Sequence, residues 1–346
     1  MFRAQLDAIG LICPVCRLQG RGEQPIRLGV TLRAEGDDIL EGALVCDEPA
    51  CRREHPIIDG IPVVVANLGG WAQHQLDAVL RREDLSPWMT SLLGDAAGPG
   101  TVLDNERRNL STYATAHWAS DDTAGGFPAL LAEAFALAAP GGGLCLDLGA
   151  SVGRGTFALA AAGAAAAIGV DLSFAMLKVG ERARRTGRVT YEQRQLGIVY
   201  EGREHAAPDP ARVGFVCADV MNLPIKTGAA SYALDINVVD CIAEPLVHLS
   251  EVARVLAPAS SAIVATPYDW QPNATPLGNW LGGHSQRGAL AGSPEATIRA
   301  LLAGGAADAH LGLALAAERA RVPWRLYVNA RSTMEYAVHV MHLQRA

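Results

Sequence analysis

Two short runs constrain this 346-residue chain more than anything else in it: Cys145-Leu146-Asp147-Leu148-Gly149-Ala150-Ser151-Val152-Gly153-Arg154-Gly155 and Ala167-Ile168-Gly169-Val170-Asp171. Each opens as an apolar stretch of strand length. The first breaks into a glycine-punctuated turn and passes into helical spacing; the second stops on an acid. Glycines between a strand and a helix permit a tight turn and let the backbone approach a ligand closely. An acid closing the second strand can accept both hydroxyls of a ribose. A further acid, Asp219, ends the run Val216-Cys217-Ala218-Asp219-Val220, where it could meet the edge of an adenine. Such an arrangement requires a parallel sheet whose strand tips share one crevice.

From Gly141 onward, strand-like and helix-like stretches alternate, which predicts an α/β fold with a mostly parallel sheet covered on both faces. Strands are expected at Leu144 to Leu148, Ala166 to Val170, Val213 to Ala218, Tyr232 to Asn237 and Ala262 to Thr266. Helices are expected from about Gly153 to Ala162, Ser173 to Arg185 and Pro245 to Val255. The alternating segments Trp324 to Asn329 and Tyr336 to His342 predict an antiparallel hairpin at the sheet edge. Residues 271 to 321 read as a Gly/Pro-rich loop and two Ala-rich helices.

Three regions follow: a cysteine-bearing N-terminal domain over 1–66, a helical connector or lid over 67–138, and the α/β domain over 139–346. In the connector, apolar spacing marks Trp71 to Leu80 and Phe127 to Leu137 as helical, with a loop over Gly94 to Gly100. His117 with Trp118 belongs either to a lid over the crevice or to a helix face packed on the α/β domain. The net charge is −7, and no sustained Lys/Arg stripe is present. That disfavours nucleic acid as the main partner. Arg81-Arg82 and Arg182 to Arg188 read as solvated helix faces. No apolar run reaches the roughly 20 residues that span a bilayer, and Met1 to Asp7 lacks a signal-peptide core. A cytoplasmic protein with no membrane contact is expected, its oligomeric state open.

The seven cysteines are clustered rather than paired along the chain. Cys13-Pro14-Val15-Cys16, followed by Cys46 and Cys51, has the two-pair arrangement of a closed, structural tetrahedral zinc site. His55 is an alternative to Cys51 as the fourth ligand, and merely buried thiols are the bland reading. Cys145, Cys217 and Cys241 read as core residues.

The α/β runs together resemble class I S-adenosylmethionine (SAM)-dependent methyltransferases over about Gly141 to Tyr268. Asp147, Gly149 and Gly153 match the first motif, Asp171 the second, Asp219 the third and Asn237 the fourth. Val255-Leu256-Ala257-Pro258 matches the turn before the fifth strand. Ser151 departs from a common glycine, and Ser231 from a common aspartate. The resemblance implies a Rossmann-like seven-stranded fold, with SAM held by Asp147, Gly149, Ser151, Gly153, Asp171, Leu172, Asp219, Val220 and Asn237. The stretch Glu54-His55-Pro56-Ile57-Ile58-Asp59-Gly60-Ile61-Pro62-Val63-Val64-Val65 is similar to the small zinc-binding subunit that activates several tRNA, rRNA and translation-factor methyltransferases.

The segments Asp171 to Phe174, Asp219 to Leu223, Asn237 to Asp240 and Tyr268 to Gly283, with the insertion Tyr191 to Arg212, resemble the methyltransferase that methylates a thiohistidine ring nitrogen in ovothiol synthesis. That implies transfer to a nitrogen or sulfur of a small, polar, heterocyclic or amino-acid-derived acceptor. Tyr268, His284 and Asn237 are the candidate catalytic or orienting residues, and Arg331 could pair with an acceptor carboxylate or simply be solvated in a turn. A methyltransferase of tRNA, rRNA or protein, and a non-catalytic SAM-fold partner subunit, are the alternatives.

Overall fold

The structure, a computed structural model, describes residues 3–71, 98–119, 125–303 and 311–345. Arg81-Arg82 and most of the helix expected over Trp71 to Leu80 lie outside the described residues, as does most of the Gly94 to Gly100 loop.

The N-terminal part opens with two short helices, α1 (Arg3–Ile9) and α2 (Pro14–Leu18). They are followed by an antiparallel sheet in the order β1 (Ile26–Glu35), β2 (Asp38–Cys46), β3 (Glu54–Ile58) and β4 (Ile61–Pro62). In β2, buried and more exposed residues largely alternate, so one face packs inward while the other meets solvent. Among the described residues, two helices then lead to the larger sheet, α3 (Val102–Trp118) and α4 (Phe127–Leu137).

The larger sheet has seven strands: β5 (Leu144–Leu148), β6 (Ala166–Asp171), β9 (Val213–Cys217), β10 (Ala230–Ile236), β11 (Leu256–Thr266), β12 (Leu313–Asn329) and β13 (Ser332–Arg345), in the spatial order β12-β13-β11-β10-β5-β6-β9. β11, β10, β5, β6 and β9 run parallel. β13 pairs antiparallel with both β11 and β12. The central strands are almost entirely buried, as a sheet covered on both faces requires. This is a Rossmann-like methyltransferase fold.

Crossover helices follow from local signals. α5 (Arg154–Ala161) starts at Gly153, and α6 (Phe174–Thr186) is capped by Ser173, whose hydroxyl accepts from Met176 N. Gly187, at φ 69°, ends α6 in the left-handed conformation. α7 (Pro245–Val255) carries proline in its first turn, where the missing N–H costs nothing.

Three expectations change. Among the described residues, 271 to 321 hold one Ala-rich helix, α8 (Pro294–Leu302), and Leu313 to Arg321, expected as helix, is instead the first half of β12. Alanine favours helix locally, but pairing along β13 from Leu313↔Arg345 onward overrides that preference. The insertion Tyr191 to Arg212 forms most of a second hairpin, β7 (Arg188–Leu196) with β8 (Val199–Ala206). Arg184 is not a solvated residue: it is 2% exposed.

Arg184 ties the two sheets together. Its guanidinium pairs with Glu181 at 2.6 Å and with Asp38 of β2 at 2.5 Å. Val64 N donates to Cys217 O at 2.8 Å, and Val63 bridges Cys217 in parallel, so the chain after β4 covers the open edge of β9. On the other flank, Leu11 bridges Ile225 and Arg17 pairs with Glu251.

The β12–β13 hairpin outruns its neighbour. β11 ends at Thr266 opposite His339, so residues 332–338 and their partners in β12 continue past the tip of β11. No helix among the described residues is long and apolar enough to cross a membrane.

Candidate active site

A cavity of about 640 Å³ opens at the carboxyl ends of β5, β6 and β10, under the overhanging hairpin. That is where ligands bind in open α/β sheets. Its floor is the turn after β5. Gly149 has φ 69° there, and a Cβ on it would lie 2.2 Å from Val238 Cγ2. Gly153 has φ 88°, and its Cβ would meet the Phe215 ring at 2.7 Å. Only glycine fits both positions. Ser151 occupies the same left-handed region at φ 49°, which a side chain tolerates at a cost of roughly 1–2 kcal/mol.

Asp171 holds this turn in place. One of its carboxylate oxygens accepts from Ser151 N and the other from Ser173 N, both at 2.8 Å. A carboxylate offers about four lone-pair positions, so Asp171 keeps capacity to accept from a ligand. Burial raises the Asp171 carboxyl above its ordinary value, against three backbone N–H groups that lower it. Asp147, 4% exposed, accepts from Thr156 Oγ1 at 2.7 Å, and burial pushes it up to about 7, with Asp171 adding to the effect. Asp219 caps the turn after β9 by accepting from Met221 N at 2.8 Å.

Several polar atoms in this wall lack a partner. Asn237, in the left-handed region at φ 59°, has both amide atoms buried and unpaired; Ser151 Oγ and Asp240 Oδ1 are in the same condition. Buried polar groups are normally satisfied; with His117 Nδ1 and Trp324 Nε1, six such atoms among the described residues belong to the lining of this cavity, which marks a site shaped for a polar ligand.

The cavity brings together Asp147, Gly149, Ser151, Asp171, Leu172, Asp219, Val220 and Asn237. Gly153 stands behind them as the N-cap of α5. Tyr268 and His284 do not line the cavity. Tyr268 turns to the other side, where its hydroxyl bonds His339 Nδ1 at 2.7 Å and His339 Nε2 meets Glu318 at 2.8 Å. His284 is engaged with Ser285 Oγ and Trp280 O in its own loop. Arg331 sits exposed in the turn between β12 and β13, its N–H donating to Asn329.

Cys241, expected in the core, is exposed and faces the cavity. The roof has two parts: Tyr113, His117 and Phe127 from α3 and α4, where a lid is one of the two readings of His117, and Trp324, Leu326, Met334 and Tyr336 from the hairpin, which the sequence does not single out. The signal was present as same-face pairs, Trp324 with Leu326 and Met334 with Tyr336, in segments read only as strands. α3 also packs on the cavity floor, Trp118 Nε1 donating to Val152 O at 3.1 Å, so lid and packed helix are the same element.

In the N-terminal part, Cys13, Cys16, Cys46 and Cys51 present sulfurs that all lie within 4.8 Å of one another. Cys13 and Cys51 are 3.9 Å apart, and Cys16 and Cys46 3.7 Å. A Zn–S bond of about 2.3 Å in a tetrahedron puts sulfurs roughly 3.8 Å apart, whereas a disulfide needs about 2.05 Å. His55 Nε2 stands 4.0 Å from Cys13 Sγ, beside the four-sulfur set.

Residues 146–264 match the family model described as a methyltransferase domain. No curated protein matches the chain. Among solved structures, phosphoethanolamine N-methyltransferase 2 of Haemonchus contortus, in complex with phosphomonomethylethanolamine and S-adenosylhomocysteine, is similar at 20% identity and a TM-score of 0.34, over 45% of this chain and 32% of its own. The chain therefore spans about a third of that enzyme's length. A Haloferax volcanii complex of the Trm112 methyltransferase activator with a candidate methyltransferase is similar at 15% identity and a TM-score of 0.42, over 69% of this chain and 93% of that one. A SAM-dependent methyltransferase of Methanosarcina mazei is similar at 16% identity and 0.38, over 58% and 92%. The matched family model falls within the α/β part of the chain and gives that part a likeness to methyltransferase domains.

Proposed function

We propose that the cavity binds S-adenosylmethionine and passes its methyl group to a nitrogen or sulfur of a small polar acceptor. The observation that carries this reading is the concurrence, in one wall, of the Gly149–Ser151 turn, the Asp171 carboxylate that fixes it, and Asp219 one strand further on. The donor set fits: Asp171 keeps capacity to accept from ribose hydroxyls, Asp219 faces the adenine position, and Asp147 with Ser151 serves the amino-acid end. Bound there, the donor supplies an electrophilic methyl on a sulfonium.

The protein's own part is alignment and exclusion of water. Asn237 offers one acceptor and one donor to the incoming nucleophile from a fixed backbone position. Trp324, Leu326 and Tyr336 close the cavity above it and keep solvent from the transferring methyl. Transfer needs no metal or covalent nucleophile from the chain.

We propose in addition that Cys13, Cys16, Cys46 and Cys51 hold a structural zinc, His55 donating its Nε2–H to the Cys13 sulfur as an outer partner.

Calorimetry with SAM and with S-adenosylhomocysteine tests the main reading. Both are expected to bind the wild-type protein. Asp171→Ala, which removes the ribose acceptor and frees the Ser151 turn, is expected to weaken binding by at least about a hundredfold, the loss of two charge-assisted hydrogen bonds. Absence of heat with either compound overturns the proposal.

A further inference from the structure

We infer that the methyl acceptor is a small cation, recognised through an ammonium-type group held by Asp240 and Asp269 against the aromatic faces of Trp324 and Tyr336. A separate neutral nitrogen or sulfur of the same molecule takes the methyl. This inference rests on the methyltransferase reading and specifies its substrate class.

Asp240 lies on the turn Val239–Cys241 directly after β10 and is 1% exposed. Its Oδ2 accepts the N–H of Asp269 at 2.7 Å. Asp240 lines the cavity, and its Oδ1 is buried with no hydrogen-bond partner among the described residues. Asp269 brings a second carboxylate to the same wall, with Oδ2 accepting from the Tyr336 hydroxyl at 3.1 Å. Burial, with Asp269 adding to it, raises Asp240 above the ordinary carboxyl range. A positive group placed between the two carboxylates would reverse that penalty and supply the missing donor.

The remaining wall suits a cation as well. Tyr336 stacks on Trp324 with ring centroids 5.3 Å apart and planes at 24°, presenting electron-rich faces beside the acids. His117 does not compensate the acids: it is stacked on Phe127 at 3.8 Å, and burial pushes its imidazole down to about 3, so the ring is neutral. Among the described residues, no lysine or arginine lines the cavity. In the reading above, Asp147, Asp171 and Asp219 are taken up by the donor's amino-acid end, ribose and adenine, which leaves Asp240 and Asp269 for the acceptor. A phosphate or free carboxylate there would meet like charge.

The test uses three imidazoles that differ in the charge of their side chain: histamine, histidine and imidazole-4-propionate. Each is titrated by calorimetry into the full chain saturated with S-adenosylhomocysteine. The expected order is histamine, then histidine, then the propionate, with at least about tenfold between first and last. Asp240→Asn and Asp269→Asn are each expected to erase most of that preference while S-adenosylhomocysteine itself binds as before. Asp269 is exposed, so its variant remains interpretable if the buried one misfolds. Binding of the propionate as tightly as histamine, no binding of any member, or a preference unchanged in both variants overturns the inference. If S-adenosylhomocysteine itself fails to bind, it is the methyltransferase reading that falls.

Discussion

His248 is held between two acceptors in the interior. Its Nε2 meets Asp235 at 2.6 Å and its Nδ1 meets the Val220 carbonyl at 3.2 Å, with both side chains fully buried. A carbonyl can only accept, so Nδ1 carries a hydrogen, and the carboxylate favours a hydrogen on Nε2 as well. Burial pushes the His248 value down, but Asp235 outweighs it and the net direction is upward from 6.5. A histidine raised in the folded state stabilises fully below 6.5 and loses that contribution as pH rises through the folded value. Chemical denaturation is therefore expected to show stability falling above neutral pH. His248→Gln should cost about 3–5 kcal/mol, as for a broken buried pair, and should flatten that dependence. Equal slopes in the two proteins would remove His248 from the account. The sequence points to Asp147, Asp171 and Asp219 because each stands at or beside the end of a parallel strand, and such ends converge by topology on one cavity. Tyr268 and His284 stand in loops, whose direction is set by partners such as His339 that lie far along the chain.

At the level of elements, the four cysteines join α2, the end of β2 and the turn before β3. A zinc ion in the proposed site would cross-link these pieces directly. Metal analysis is expected to return about one zinc per chain. Chelation should expose β1–β3 to protease first; β5 and β6 share a hydrophobic cluster with that part through Leu146, Leu148, Ile168 and Val170, but Cys145 and Ala167 also anchor them in a second cluster. A metal-free protein with the same protection would argue for plain buried thiols. The parallel strands were readable because their buried apolar runs are punctuated by glycines and acids. β12 was not: Leu313 to Arg321 is rich in alanine, and only its register with β13 shows that it is a strand. The hairpin's part of the cavity roof was hidden for the same reason, since strand length past the tip of β11 depends on pairing rather than on local pattern.

Across the whole molecule, Arg184 is the clearest link between the two sheets, and its charge run gave no sign of it. Burial of Arg184 depends on Asp38, which stands 146 positions away. Arg184→Met would leave the carboxylates of Glu181 and Asp38 without that guanidinium, at an expected cost of about 3–5 kcal/mol. Hydrogen exchange should rise together in β2 and α6, whereas a purely local effect would raise it in α6 alone. The strap at Val63 and Val64 has a different consequence. Because it shares a polypeptide with the β9 edge it covers, the two cannot be parted by dilution. Closing that edge is a matter of effective molarity rather than of encounter: one cap per catalytic unit, at any concentration of protein in the tube.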